Sequence, residues 1–222
     1  MFTRTEAIIG KENTDKLKRS HVIVTGCGGV GSYVLEALVR SGIGKVTVID
    51  ADVVDITNIN RQLIATHKTV GQAKVDAARE RMLDINPNVE YVGIKAMLDR
   101  DNISQYLPSD ANYIVDAIDC VAAKVGLALF AKDNQTPILT CLGTGKRLDA
   151  TKFEICDIFE TSGCPLARKM RYELKKAGIK KLNVIYSKAK VYETEGIGSV
   201  AFVPSVAGLL MAQKVICDII GE

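Results

Sequence analysis

The residues that could do chemistry begin with a glycine pattern, Gly26-x-Gly28-Gly29-x-Gly31. It lies between a β-branched apolar run, Val22 to Thr25, and Tyr33 to Leu38, which has helical spacing. Strand, glycine turn, helix is an anion-binding arrangement. Glycines let the backbone approach a phosphate, and the free N–H groups and dipole at a helix start favour negative charge. A second apolar run, Lys45 to Ile49, ends in Asp50, where such folds place a ribose-binding acid. So far this says adenine nucleotide and does not separate ATP from NAD. A turn that merely packs is the weaker account, because the context matches on both sides.

Residues 50–74 bear on that choice. They contain Asp50-Ala51-Asp52, then Asn58-Ile59-Asn60-Arg61-Gln62, then Gly71-Gln72-Ala73-Lys74. A dehydrogenase demands little here beyond the acid. Two cations after an acid suit a triphosphate, whose reacting phosphoryl groups need positive charge nearby in the transition state. Asp119 closes the apolar run Tyr113 to Ile118, at the strand end where open sheets bind ligands. It is a candidate Mg²⁺ ligand, since Mg²⁺ takes one or two carboxylates plus phosphate oxygens and water. The Walker lysine pattern is absent, which excludes a P-loop enzyme.

The positioning elements follow from the pattern. Helices are expected at 5–18 (bent or split at Gly10), 30–41, 71–84, 101–107, 120–132, 164–177 and 205–220. Strands are expected at 21–25, 45–50, 89–95, 113–119, 137–142, 153–158 and 183–192. Residues 51–70 read as a long loop and 194–199 as a glycine-bearing loop, a candidate lid. The β-α alternation predicts an α/β, Rossmann-like, doubly wound and mainly parallel sheet, with a smaller antiparallel extension towards the C-terminal end. One domain is expected over 1–222, with a nucleotide-binding core at 1–145 and a substrate-side lobe and closing helix at 146–222.

Composition narrows the class. The chain has 222 residues, 47% hydrophobic and 25% charged, as in ordinary globular proteins. The first residues lack the build of a signal peptide and no apolar run reads as a membrane span, so a soluble, cytoplasmic protein without a membrane partner is expected. The six cysteines form no Cys-x-x-Cys pair, which argues against a structural zinc site. His21 and His67 are far apart, and both read as structural. Arg168, Lys169, Arg171, Lys175, Lys176, Lys180 and Lys181 crowd one segment of a chain whose net charge is only +3. From charge alone a solvated helix face explains them best.

Taken together the glycine turn, Asp-x-Asp, Asn-x-Asn-Arg-Gln, Gly-x-x-Lys and Asp-Ala-x-Asp resemble the ubiquitin-activating-enzyme-like superfamily of adenylyltransferases. Arg40-Ser41-Gly42-Ile43-Gly44, Ile85-Asn86-Pro87, Asp116-Ala117-Ile118-Asp119, Pro165-Leu166-Ala167 and Gly198-Ser199 resemble its tRNA threonylcarbamoyladenosine dehydratase branch. The resemblance implies ATP and Mg²⁺ as cofactors, and attack of a substrate carboxylate on the α-phosphate. It implies a ribose-binding Asp50 and a nucleotide-side Asp52. Asn58, Arg61, Gln62 and Lys74 would hold phosphates and Asp119 the Mg²⁺. It implies a homodimer in which Arg4 reaches the neighbour's site, and a tRNA substrate that makes Arg168, Lys169, Arg171, Lys175 and Lys176 candidate contacts. A cysteine desulfurase or sulfur acceptor is a further implied partner. Cys164 stands where many of that branch have an acid, which keeps open activation of a sulfur-carrier or ubiquitin-like protein. Packing is the simpler account of Cys164.

Overall fold

The structure, a computed structural model, describes residues 1–196 and 198–222. Position 197 of the expected lid lies outside the described residues. The elements are α1 (Thr3–Arg19), β1 (His21–Thr25), α2 (Gly31–Ser41), β2 (Lys45–Ile49), α3 (Lys74–Ile85), β3 (Glu90–Ile94), α4 (Ile103–Tyr106), β4 (Tyr113–Asp116), α5 (Val121–Asp133), β5 (Ile138–Cys141), β6 (Phe153–Asp157), α6 (Pro165–Lys176), β7 (Asn183–Ser187) and α7 (Phe202–Ile220), with 3₁₀ turns at Ile56–Asn58, Ala150–Lys152 and Ile158–Glu160. The strands form one sheet in the order β3-β2-β1-β4-β5-β7-β6. All neighbours are parallel except β6, which runs antiparallel to β7 with Ile155 opposite Ile185. This is the expected doubly wound sheet with its antiparallel extension.

Alternation along the central strands builds two core layers. Val22 and Val24 of β1 share one layer with Leu35 and Leu38 of α2, Met82 of α3, and Met211 and Val215 of α7. Ile23 between them faces the other way, with Ile114 of β4, Ile103 of α4 and Leu127 of α5. A third cluster, including Met170, Leu174 and Val184, fixes α6 against the far half of the sheet. Each such large apolar side chain contributes roughly 1.5–3 kcal/mol when fully buried.

Several boundaries move, each for a visible reason. α1 is one element kinked at Gly10, whose φ is 80°. α3 starts at 74 rather than 71, because residues 71–73 pair with the chain after β2. Gly71 N–H donates to the Val54 carbonyl, Val54 N–H donates to that of Gln72, and Val53 bridges Ala73. β4 ends at Asp116, so Asp119 stands in the turn beyond the strand. β7 ends at Ser187, whose hydroxyl accepts from Ala189 N–H and turns the chain away. α7 begins at 202, with Pro204 in the first turn, where its missing N–H leaves no bond unmade.

The reading that no run is long and apolar enough for a membrane span is corrected. Phe202–Ile220 has 19 residues and a mean hydropathy of 1.6 and meets that test. Its apolar faces are used inside the fold: Val203, Ala207, Met211, Ala212 and Val215 are buried in the core. It approaches α2 so closely that a Cβ on Gly208 would sit 2.5 Å from the Val30 carbonyl oxygen.

Candidate active site

The neighbours of β1 are β2 on one side and β4 on the other, so the chain reverses direction across the sheet between β1 and β4. At such a switch point the loops leaving the strands' carboxyl ends part and open a crevice. Five of the loops and turns that carry expected site residues leave this edge: the glycine turn after β1, Asp50 and Asp52 after β2, the Asn58–Gln62 segment, the start of α3, and the turn bearing Asp119 after β4.

The glycine turn is built for close approach. Gly26 has φ of 84°, and a Cβ there would lie 2.7 Å from the Ala117 carbonyl oxygen. A Cβ on Gly31 would fall 1.8 Å from the Gly26 carbonyl oxygen. The turn thus folds onto itself and onto the Asp119 turn. No side chain caps the first turn of α2, whose Ser32 and Tyr33 N–H groups donate to the Gly28 and Val30 carbonyls at 3.1 Å, so an anion at this helix start would be met by the amides of the glycine turn ahead of it. Arg61 and Pro204 close over Gly29, at 3.4 and 3.3 Å from its Cβ position. Ser32 joins the turn to the next segment: its hydroxyl donates to the Gly28 carbonyl at 2.7 Å and accepts from Leu63 N–H at 3.2 Å.

The expected site residues differ in what they already hold. Asp50 accepts from Cys27 N–H at 2.6 Å and from Asp52 N–H at 2.8 Å, so it sets the turn's shape as well as offering free lone pairs. Asp52 pairs with Lys74, Oδ2 to Nζ 2.7 Å. The lysine is buried to its tip while the acid is largely exposed, which aims the ammonium at this edge. Asn58 is buried and accepts from Asp55 N–H at 3.1 Å, closing a reciprocal cap on the 3₁₀ turn. Gln62 is buried, its Oε1 has no partner among the described residues, and its Nε2 lies 3.7 Å from the Cβ position of Gly28. The unpartnered Oε1 is an acceptor and calls for a donor such as a ribose hydroxyl or water, while the Nε2 beside the glycine cradle is the group that can donate to a phosphate oxygen. Arg61 donates to the Thr57 carbonyl at 3.0 Å and to Asn60 Oδ1 at 2.8 Å, and Asn60 donates to the Ser199 carbonyl at 3.1 Å. The 199 segment is therefore tied to the arginine. Asp119 is exposed in its turn. Arg4 is exposed on α1.

Among the described residues no group of three or more His, Cys, Asp or Glu could hold a metal alone. An ion at Asp119 would rest mainly on phosphate oxygens and water, which is the usual Mg²⁺ habit. Two other clefts, of about 370 and 610 Å³, open at the amino ends of the strands, and none of the expected site residues lines them.

One sequence reading changes. Arg171 is not a free cation: it reaches back to the Thr161 carbonyl at 2.9 Å and to the Thr161 hydroxyl, pinning α6 to the preceding turn. Arg168, Lys169, Lys175 and Lys176 are exposed, with Lys176 lying 4.3 Å from the Tyr172 ring. Cys164 is buried and caps α6, accepting from Ala167 N–H at 3.5 Å, a packed position. Burial also pushes the thiols of Cys27 and Cys141 up, the latter to about 12, which keeps both protonated at neutral pH. His21 is structural as expected, its Nε2 2.8 Å from the Thr47 hydroxyl.

Sequence reading missed a buried polar cluster under the crevice. Lys124 and Asp116, both fully buried, pair at 2.9 Å, and Lys124 also donates to the Cys141 carbonyl at 2.8 Å. The signal was present in Asp-Ala-x-Asp followed by a lysine on the next helix. Its helical position gave no hint that the lysine pointed inward.

The chain is similar to known proteins over its whole length. The tRNA threonylcarbamoyladenosine dehydratase of Bacillus subtilis (strain 168) is 39% identical, over 100% of this chain and 95% of that protein. The protein of the same name from Escherichia coli (strain K12) is 38% identical over 78% of this chain and 65% of its own length. The crystal structure of the E. coli tRNA N6-threonylcarbamoyladenosine dehydratase in complex with ATP superposes with a TM-score of 0.93 at 32% identity, covering 99% of this chain and 93% of that one. The ThiF family model matches residues 2–222, and on a sheet that places a glycine turn, two cations and an acid along one edge, the chain belongs to the ThiF family.

Proposed function

We propose that this protein is an ATP-dependent tRNA threonylcarbamoyladenosine dehydratase. The observation that carries the reading is the switch-point edge itself, where Arg61 and Gln62 lie against the glycine turn and the buried Lys74 is aimed at the same edge. A binder without turnover has no need of that cation set.

In this reading a carboxylate oxygen of the modified nucleoside attacks the α-phosphorus. The bond from the α-phosphorus to its bridging oxygen breaks, and pyrophosphate leaves. A nucleophile within the same modification then attacks the acyl carbon and expels AMP, with net loss of one water. The nucleophile is tethered, so closure is unimolecular and calls for no protein nucleophile. Asp50 holds ribose, and Asp52 keeps Lys74 in place. The glycine-turn amides, Asn58, Arg61, Gln62 and Lys74 hold the phosphates and offset the charge that develops on them. Mg²⁺ beside Asp119 would supply further positive charge on the phosphate oxygens. A homodimer would add Arg4 of the second copy. Arg168, Lys169, Lys175 and Lys176 would meet the tRNA backbone, whereas Arg171 serves the fold. A cytoplasmic setting, and a cysteine desulfurase or sulfur acceptor as partner, belong to the same reading.

The test is incubation with ATP, Mg²⁺ and tRNA carrying threonylcarbamoyladenosine, followed by mass spectrometry of the nucleoside. Loss of one water is expected, and Cys164→Ala retains it. An unchanged mass, with ATP–pyrophosphate exchange only when a carrier protein ending in Gly-Gly is added, would overturn the proposal in favour of carrier activation.

A further inference from the structure

We infer that Lys124 and Asp116 are positioning residues for the nucleotide site, holding the Asp119 turn against the glycine turn. The inference rests on the function proposed above only in giving Asp119 a role at the phosphates. Both side chains are fully buried, yet neither serves the apolar core around it. Lys124 Nζ spans the ends of two adjacent strands, donating to Asp116 Oδ1 of β4 and to the Cys141 carbonyl of β5. The same Oδ1 accepts from Ile118 N–H at 3.3 Å, so the carboxylate shapes the turn that follows β4. That turn is in backbone contact with the phosphate cradle through the Ala117 carbonyl, which would clash with a Cβ on Gly26. One ammonium therefore sets the spacing of β4, β5 and α5, and through Asp116 the path of residues 117–119. A buried ion pair is weak as a source of stability, because desolvation offsets most of its Coulombic attraction. Its geometry at this edge gives it another task.

The test compares the Asp116→Asn/Lys124→Met double variant with the parent chain. Removing both charges together leaves no uncompensated buried ion, so a melting temperature within about 4 °C of the parent is expected. ATP affinity, measured by calorimetric titration with ATP alone and with ATP plus Mg²⁺, should fall about tenfold, as when the support of a site's ligands is lost. Amide hydrogen exchange at Ala117–Asp119 should rise. Parent-level ATP affinity in the double variant would overturn the inference. Lys124→Arg, which keeps the charge but changes its reach, serves if the double variant does not fold. There, raised exchange at 117–119 with unchanged ATP affinity overturns it too. Asp119→Ala separates the two readings. Unchanged ATP affinity in that variant removes Asp119 from the phosphates, while an affinity loss and raised exchange in the double variant still establish the positioning of the cradle.

Discussion

Replacing Lys74 by methionine separates a structural ion pair from a phosphate-binding cation. The lysine side chain is 8% exposed and its partner Asp52 is 60% exposed. Methionine keeps most of the buried stem, and Asp52 is left in water, able to hydrate. The pair is thus worth no more than an exposed one, about 0–1 kcal/mol. For a chain of this size that corresponds to a shift of at most about 4 °C in Tm. The same ammonium placed on a phosphoryl group in the transition state is worth far more. Removing one such preorganised donor typically costs 10²–10³ in rate, about 2.7–4 kcal/mol. Lys74→Met should therefore melt close to the parent and lose at least about a hundredfold in ATP-dependent dehydration of modified tRNA. Thermal melts and single-turnover mass spectrometry of the nucleoside measure the two quantities on one preparation. A variant that turns over like the parent but melts about 8 °C lower would refute the reasoning and make Lys74 a strut for Asp52.

The basic helix divides along the same line. Arg171→Ala takes the guanidinium from the Thr161 carbonyl, while the Thr161 hydroxyl keeps its bond to the Ile158 carbonyl at 2.6 Å, and should cost about 1–3 kcal/mol in urea unfolding. The double variant Arg168→Ala/Lys169→Ala should unfold like the parent, while the slope of log affinity for tRNA against log salt shrinks by about 1–2. Identical salt slopes would remove both residues from the RNA surface. His21 gives a pH signature: burial lowers its pKa below the ordinary 6.5, so the folded state binds the proton less readily than the unfolded chain. Its contribution is fully present above pH 6.5 and is lost as pH falls through the lowered folded value. His21→Gln should flatten the fall in unfolding free energy between pH 7.5 and 5.5, and an unaltered slope would assign that fall to other groups.

Much of the architecture is written locally. The run Val22–Thr25 has β-branched residues on both faces, and buried parallel strands look like that because both faces are covered. Gly26 and Gly31 fix the turn, since a Cβ at the first would lie 2.7 Å from the Ala117 carbonyl oxygen and one at the second 1.8 Å from the Gly26 carbonyl oxygen. Boundaries were less legible. Residues 71–73 have helical composition but spend their hydrogen bonds on residues 53–54, a partner about twenty positions away that no local window contains. α7 is apolar enough for a membrane, and only the α2 surface and the sheet beneath explain where that surface goes.

By itself the sequence determined which residue types stand in which order: the glycine turn, the acids at strand ends, Arg61 and Lys74, and the α/β alternation that brings strand ends to one edge. Those are properties of local spacing and of chain connectivity. Tertiary structure alone decided which charges are free to act. It turned Arg171 inward to Thr161 and left Arg168 and Lys169 outward, though all three share one basic helix. It sank Lys124 onto Asp116, and it joined Lys74 to Asp52 with only the acid open to water. A side chain's charge is set by its type, but its work is set by desolvation and by the partner it meets, and both come from elements distant in the chain.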